Sequence, residues 1–135
     1  MEVLIGLVLA ITLGLAFSLA GLDRDRALYP VLMMVIASYY VLFAVLGHSP
    51  QSLWIESSIF VLFFGASIVG FKSNLWLVVL ALAMHGAFDL VHGLLVDNPG
   101  VPGWWPGFCG AYDVAAAVYL GCLISMGRIR ASVQS

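Results

Sequence analysis

The fourth apolar block of this chain reads H-G-A-F-D-L-V-H, from His85 to His92. At 100° per residue, His85, Asp89 and His92 fall within an arc of roughly 60°. They make a polar stripe on an otherwise apolar helix. The fifth block carries Asp113 beside Tyr112, the third carries Glu56, and the second carries Tyr39 and Tyr40. Ionisable groups inside apolar spans are costly and mark a functional interior. Imidazole and carboxylate together suit zinc, iron, copper or manganese, and histidines and acids on facing helices build metal sites in bundles.

The spacing sets limits on that chemistry. His85 with Asp89 (i, i+4), or Asp89 with His92 (i, i+3), can chelate one ion. His85 and His92 are about 10.5 Å apart along a helix axis, so either one of them ligates while the other supports it, or the site holds two metals. The expected ligands are His85, Asp89, His92, Glu56 and Asp113. The expected cofactor is a divalent transition metal, with zinc or iron the best suited. Glu56, Asp113, Tyr39 and Tyr112 are the candidates for catalytic acid–base work. Cys109 lies one turn before Asp113 and reads either as a further ligand or as a small buried hydrophobe.

Such residues need elements to carry them. Of the 135 residues, 63% are hydrophobic and 9% are charged, against roughly 25% charged in an ordinary soluble domain. The apolar residues come in blocks of about 20, the length of helix that spans a bilayer core. A membrane β-barrel would show shorter alternating segments. The expected fold is therefore all-α: a single polytopic membrane domain of about five transmembrane helices, over residues 2–21, 28–47, 51–71, 74–96 and 107–127. Met1 and Glu2 do not make the basic start of a signal peptide, so the first block reads as a retained helix. The segment from Asp97 to Gly107 is rich in proline and glycine and reads as a connector or a lid.

Topology follows from charge. With five spans, Arg24, Arg26, Lys72, Arg128 and Arg130 all fall on one side, which the positive-inside rule makes cytoplasmic. The amino terminus, the His48 turn and the Asp97–Gly107 loop then face outward. Glu56, Asp89 and Asp113 come to lie roughly 8–11 Å below the outer boundary, with Tyr39 and Tyr40 at similar depth. The expected location is the plasma membrane, or the inner membrane of a bacterium, with the site toward the outer face.

The same composition excludes other functions. A net charge of -2 argues against a nucleic-acid partner. The one lysine, Lys72, lies in a cytoplasmic turn, which argues against a retinal Schiff base within the bundle. Cys109 and Cys122 are about 20 Å apart along one helix, too far to bridge. The chain reads as free of sequence repeats and lipidation motifs. Its partners are the lipid bilayer and a lipophilic small molecule or lipid as substrate, and assembly into an oligomer stays open. The expected function is metal-dependent hydrolysis or oxidation of that substrate. Two alternatives remain: a proton- or cation-conducting transporter using the same residues as a relay, and a non-catalytic subunit of a larger membrane complex.

Overall fold

The five apolar blocks form five helices in the computed structural model, which describes residues 1–132. They are α1 (Glu2–Ala20), α2 (Leu28–Leu46), α3 (Pro50–Lys72), α4 (Trp76–Leu95) and α5 (Trp105–Ser125), with a 3₁₀ turn at Leu22–Arg24. Each is long and apolar enough to cross a membrane.

Local chemistry sets the ends. Gly21 takes a left-handed φ of 75° and closes α1, a conformation that costs glycine least. The Ser49 hydroxyl accepts from the Ser52 N–H and caps α3, whose first turn holds Pro50. Two helix starts differ from the sequence reading by two residues. Helix α4 starts at Trp76 rather than 74, because the Asn74 side-chain oxygen accepts from the Trp76 N–H at 3.0 Å. Helix α5 starts at Trp105 rather than 107, with Pro106 inside its first turn, where a proline gives up no helical hydrogen bond.

Helix α5 packs broadly on α1 and on α4, and α2 packs broadly on α3; α4 also meets α3 and, over a narrower contact, α2. Helix α1 buries only Gly6, Ala10 and Gly14. A side-chain carbon added at Gly6 would collide with the Phe108 carbonyl, and the Tyr119 ring lies over Gly14. Small residues at four-residue spacing let backbones approach closely where lipid leaves little hydrophobic drive for association.

The two ends of the bundle differ. At one end the Arg26 guanidinium donates to the carbonyls of Phe71 at 2.9 Å and Ala131 at 2.8 Å, and to that of Arg130. That contact ties the start of α2 to the end of α3 and to the segment after α5, so all five basic residues share this end. At the other end the α4–α5 loop folds over α2 and α3. Ser52 Oγ donates to the Asp97 carbonyl at 2.6 Å. Gly100 presses so closely on Phe43 and Gly47 that no side chain fits there. The half of the interior nearer the basic end is filled mainly by Met33, Val78, Leu82, Leu120 and Leu123, with Asp23 and Ser67 the buried polar exceptions.

Candidate metal centre

The half nearer the α4–α5 loop holds the acids and histidines. Helices α4 and α5 meet there with glycine against glycine. A side-chain carbon at Gly86 would lie 3.0 Å from the Gly110 carbonyl, and one at Gly110 would lie 3.1 Å from the Gly86 carbonyl. This near-contact of two backbones lets side chains on both helices converge beside it. His85 and Asp89 come from α4, and Cys109 and Asp113 come from α5. One ligand atom from each of the four lies within 4.8 Å of the other three.

His85 Nδ1 donates to Asp113 Oδ2 at 2.6 Å and stands 3.7 Å from Asp89 Oδ2. The Cys109 thiol reaches Asp113 Oδ2 at 4.0 Å. A second group adjoins the first. His92 Nε2 donates to Glu56 Oε1 at 2.8 Å, and the Asn98 amide donates to the same oxygen at 3.0 Å. Tyr40 joins the two groups. Its hydroxyl donates to Asp89 Oδ1 at 2.7 Å, and its ring stacks on His92 with centroids 4.0 Å apart. Its carbonyl accepts from Asn98 at 3.1 Å. His85, Asp89, His92, Glu56, Asp113 and Cys109 are each no more than 3% exposed.

Burial at this depth makes every polar atom consequential, because an unpaired one costs the full desolvation of the group. Three carboxylate oxygens have no hydrogen-bond partner: Glu56 Oε2, Asp89 Oδ2 and Asp113 Oδ1. No lysine or arginine is near, since all five lie at the other end of the bundle. The centre thus holds three acids against two histidines and is rich in acceptors. Buried charges in proteins are paired or coordinate metals, and the donor set of imidazole, carboxylates and thiol fits a divalent transition metal.

The expected ligand set is thus rearranged. His85, Asp89 and Asp113 are brought together, whereas His92 and Glu56 form an adjoining pair and not part of the same four-atom cluster. Cys109 takes the remaining place. No hydrogen bond joins Tyr39 or Tyr112 to the centre among the described residues. Tyr39 turns outward against Trp105, at 4.9 Å between rings, and its neighbour Tyr40 faces inward. Tyr112 packs in the apolar core. His48 sits exposed in its turn with φ 49°. Asn98 had no signal as a site residue beyond its place in the loop.

One signal in the sequence did mark the centre. His85-Gly86-Ala87-Phe88-Asp89 and Cys109-Gly110-Ala111-Tyr112-Asp113 are the same five-residue pattern: ligand, glycine, alanine, aromatic, aspartate. The expectation of no repeat is corrected by this pair. Helices α4 and α5 run antiparallel, so the two copies face each other about an approximate two-fold axis that passes near the crossing glycines. The four residues that could hold a metal are the first and last of each copy.

Comparisons with protein-family models, with curated proteins and with solved structures give no match to this chain. The functional reading therefore rests on the geometry of the centre.

Proposed function

We propose that the chain is an integral membrane metalloprotein in which His85, Asp89, Cys109 and Asp113 hold one divalent transition metal. We further propose that the ion acts on a lipophilic small molecule or lipid. The observation that carries the reading is the set of carboxylate oxygens without a hydrogen-bond partner in a buried centre with no lysine or arginine. Asp89 Oδ2 and Asp113 Oδ1 lack partners and belong to the same cluster as His85 and Cys109. A dication would satisfy both. A thiolate and an imidazole beside two carboxylates favour zinc, with iron the runner-up.

Two ligands on one tetrahedral ion stand roughly 3.3 Å apart, given bonds of about 2.0–2.1 Å. The His85–Asp113 contact of 2.6 Å is shorter and holds a proton. Metal uptake on this reading displaces that proton and opens the pair. A zinc ion with three protein ligands keeps a position for water, whereas four protein ligands close it. Hydrolysis or oxidation therefore calls for one of the four to stand off the ion.

The orientation follows from charge: the basic end is placed in the cytoplasm and the centre in the outer leaflet of the plasma membrane. The test is elemental analysis of untagged protein purified in detergent, beside its Asp89→Asn variant. One metal per chain in the wild type, lost in the variant, supports the reading; only trace metal in the wild type overturns it.

A relay for protons is the second reading, and one observation favours it. A separate polar knot occupies the basic end, where Ser18 bonds both Asp23 and, at 2.7 Å, Tyr119, and where the nearby Tyr29 hydroxyl is buried without a partner. Proton flux in proteoliposomes that is abolished by Asp23→Asn and by Asp89→Asn alike would move this reading to first place.

A further inference from the structure

His85, Asp89, Cys109 and Asp113 are each no more than 3% exposed, so an ion has to cross protein to reach them. Three ways in differ in their chemistry. The lipid-facing sides of the bundle expose apolar residues, through which an isolated charge passes only at prohibitive cost. The basic end holds all five lysine and arginine side chains, which repel a dication. Behind them Met33, Leu82, Leu120 and Leu123 fill the interior. The third way lies under the α4–α5 loop.

Polar groups follow one another there. Asp97 is exposed, and its neighbour Asn98 is buried. The Asn98 amide donates to Glu56 Oε1 at 3.0 Å and to the Tyr40 carbonyl at 3.1 Å. Glu56 is itself buried, and His92 donates to the same Oε1 at 2.8 Å. Glu56 Oε2 has no hydrogen-bond partner. His92 stands three residues from Asp89 on α4, about 4.5 Å of helix rise. Tyr40 touches both, with its ring on His92 and its hydroxyl on Asp89. Glu56 thus lies between the loop and the centre, outside the four-residue cluster. One of its oxygens is held by its neighbours and the other is free for a cation. A single carboxylate oxygen holds an ion loosely, as a site of passage must: binding has to favour entry without preventing departure.

The amide that holds Glu56 belongs to a pinned loop. Ser52 Oγ donates to the Asp97 carbonyl at 2.6 Å, and the Gly100 N–H donates to Asn98 Oδ1 at 3.2 Å. We propose that Glu56 is the entry site through which a divalent cation reaches the metal centre, and that Asn98 is the latch that keeps it covered. The inference rests on the proposed metal centre and adds the route by which that centre fills.

The test uses the metal-free full chain in nanodiscs. Zinc loading is followed by stopped flow with a zinc-sensitive dye, release by mixing loaded protein with excess EDTA, and metal per chain by elemental analysis. Glu56→Gln keeps an oxygen for His92 and Asn98 and loses the charge. It should slow loading and release alike, each about tenfold, or ~1.4 kcal/mol of barrier, with one zinc per chain still bound at equilibrium. Slower release is the deciding result, because a charge that merely attracted the ion would speed its escape once removed. Glu56→Asp restores the charge and should recover most of both rates. Asn98→Ala should speed loading and release together. Ser52→Ala, which frees the Asp97 carbonyl without touching Glu56, repeats the latch test should Asn98→Ala fold poorly.

Release that is unchanged or faster in Glu56→Gln overturns the entry site. Rates that stay at the wild-type value in Asn98→Ala and Ser52→Ala alike overturn the latch. The two proposals fail in different ways. A wild type with only trace metal overturns the metal centre and the route with it, whereas one zinc per chain with rates indifferent to Glu56 and Asn98 overturns the route alone.

Discussion

Replacing Asp89 by asparagine separates a metal ligand from a structural hydrogen bond. In the wild type Asp89 Oδ1 accepts from Tyr40 at 2.7 Å, and Oδ2 is bare, 3.7 Å from His85 Nδ1. Asparagine keeps an oxygen for Tyr40 and puts an amide where the bare oxygen was. If the centre is only interhelical glue, the change removes an uncompensated charge and keeps the one real bond. Such bonds average ~0.6 kcal/mol in membranes, so the metal-free stability should move by less than about 1 kcal/mol. If Asp89 is a ligand, the loss is electrostatic. Two unit charges 4 Å apart at an effective dielectric constant near 20 interact by about 4 kcal/mol, roughly three orders of magnitude in affinity. The assay is zinc competition against a chelating dye, with the thermal midpoint of metal-free protein recorded alongside. A folded Asp89→Asn that binds zinc as tightly as wild type refutes the assignment.

Four further outcomes follow from the same geometry. Cys109→His should turn the repeat into a symmetric His/Asp pair of pairs and keep metal, while Cys109→Ala should lose it; cobalt substitution reads this out, since the thiolate charge-transfer band should vanish in both. Gly86→Ala adds a carbon 3.0 Å from the Gly110 carbonyl and from Val114 Cγ2, and this overpacking should cost about 1–3 kcal/mol in thermal or denaturant unfolding. Tyr40→Phe removes the donor that fixes Asp89 and should weaken metal binding about 10–100-fold, as loss of a ligand's hydrogen-bond partner typically does, with the dye assay as the check. Reporter fusions at Gly100 and at the carboxyl terminus should report opposite sides of the membrane, and the same side for both would remove the orientation assigned from the basic residues.

The fold was readable because its causes are local. Block length against bilayer thickness determines helix number, and the boundaries missed by one or two residues at most places reflect capping by Asn74 and the tolerance of a first turn for Pro106. The centre was only partly readable. The cost of burying Glu56, His85, Asp89, His92 and Asp113 marked them, and all five are buried together. Their grouping depended on which helix pairs cross closely, and helix spacing along the sequence says nothing of that. The stripe on α4 therefore suggested one cluster, whereas the Gly86–Gly110 crossing draws His85 and Asp89 toward α5 and leaves His92 facing Glu56 on α3. Tyr39 and Tyr40 illustrate the same gap: adjacent residues point about 100° apart on a helix, and depth alone cannot choose between them. The pattern shared by residues 85–89 and 109–113 carried the missing information, because it marks Cys109 as the counterpart of His85.

On the proposed reading, the arrangement of donors suits a ligand set better than hydrogen-bond glue. Asp89 receives Tyr40 on Oδ1 and leaves Oδ2 bare. Asp113 receives His85 and the Cys109 thiol on Oδ2 and leaves Oδ1 bare. Glu56 receives both His92 and Asn98 on Oε1 and leaves Oε2 bare. In Asp113 and Glu56 two donors converge on one oxygen, and in Asp89 the Tyr40 hydroxyl takes one oxygen while the other stands 3.7 Å from His85 Nδ1. A network whose role is to hold helices together gains most by spreading donors over both oxygens, since each unsatisfied buried atom costs about 1–3 kcal/mol. A carboxylate that ligates through one oxygen needs the opposite pattern, with one oxygen stitched to its surroundings and the other free for the ion. Asp89 and Asp113 have that pattern beside His85 and Cys109. Glu56 has it next door, where Tyr40 stacks on His92 and touches Asp89. On this argument the α3 acid is the group placed to take up a proton or a second ion when the first site fills, and Glu56→Gln should leave the first metal bound while changing the number of protons released on loading.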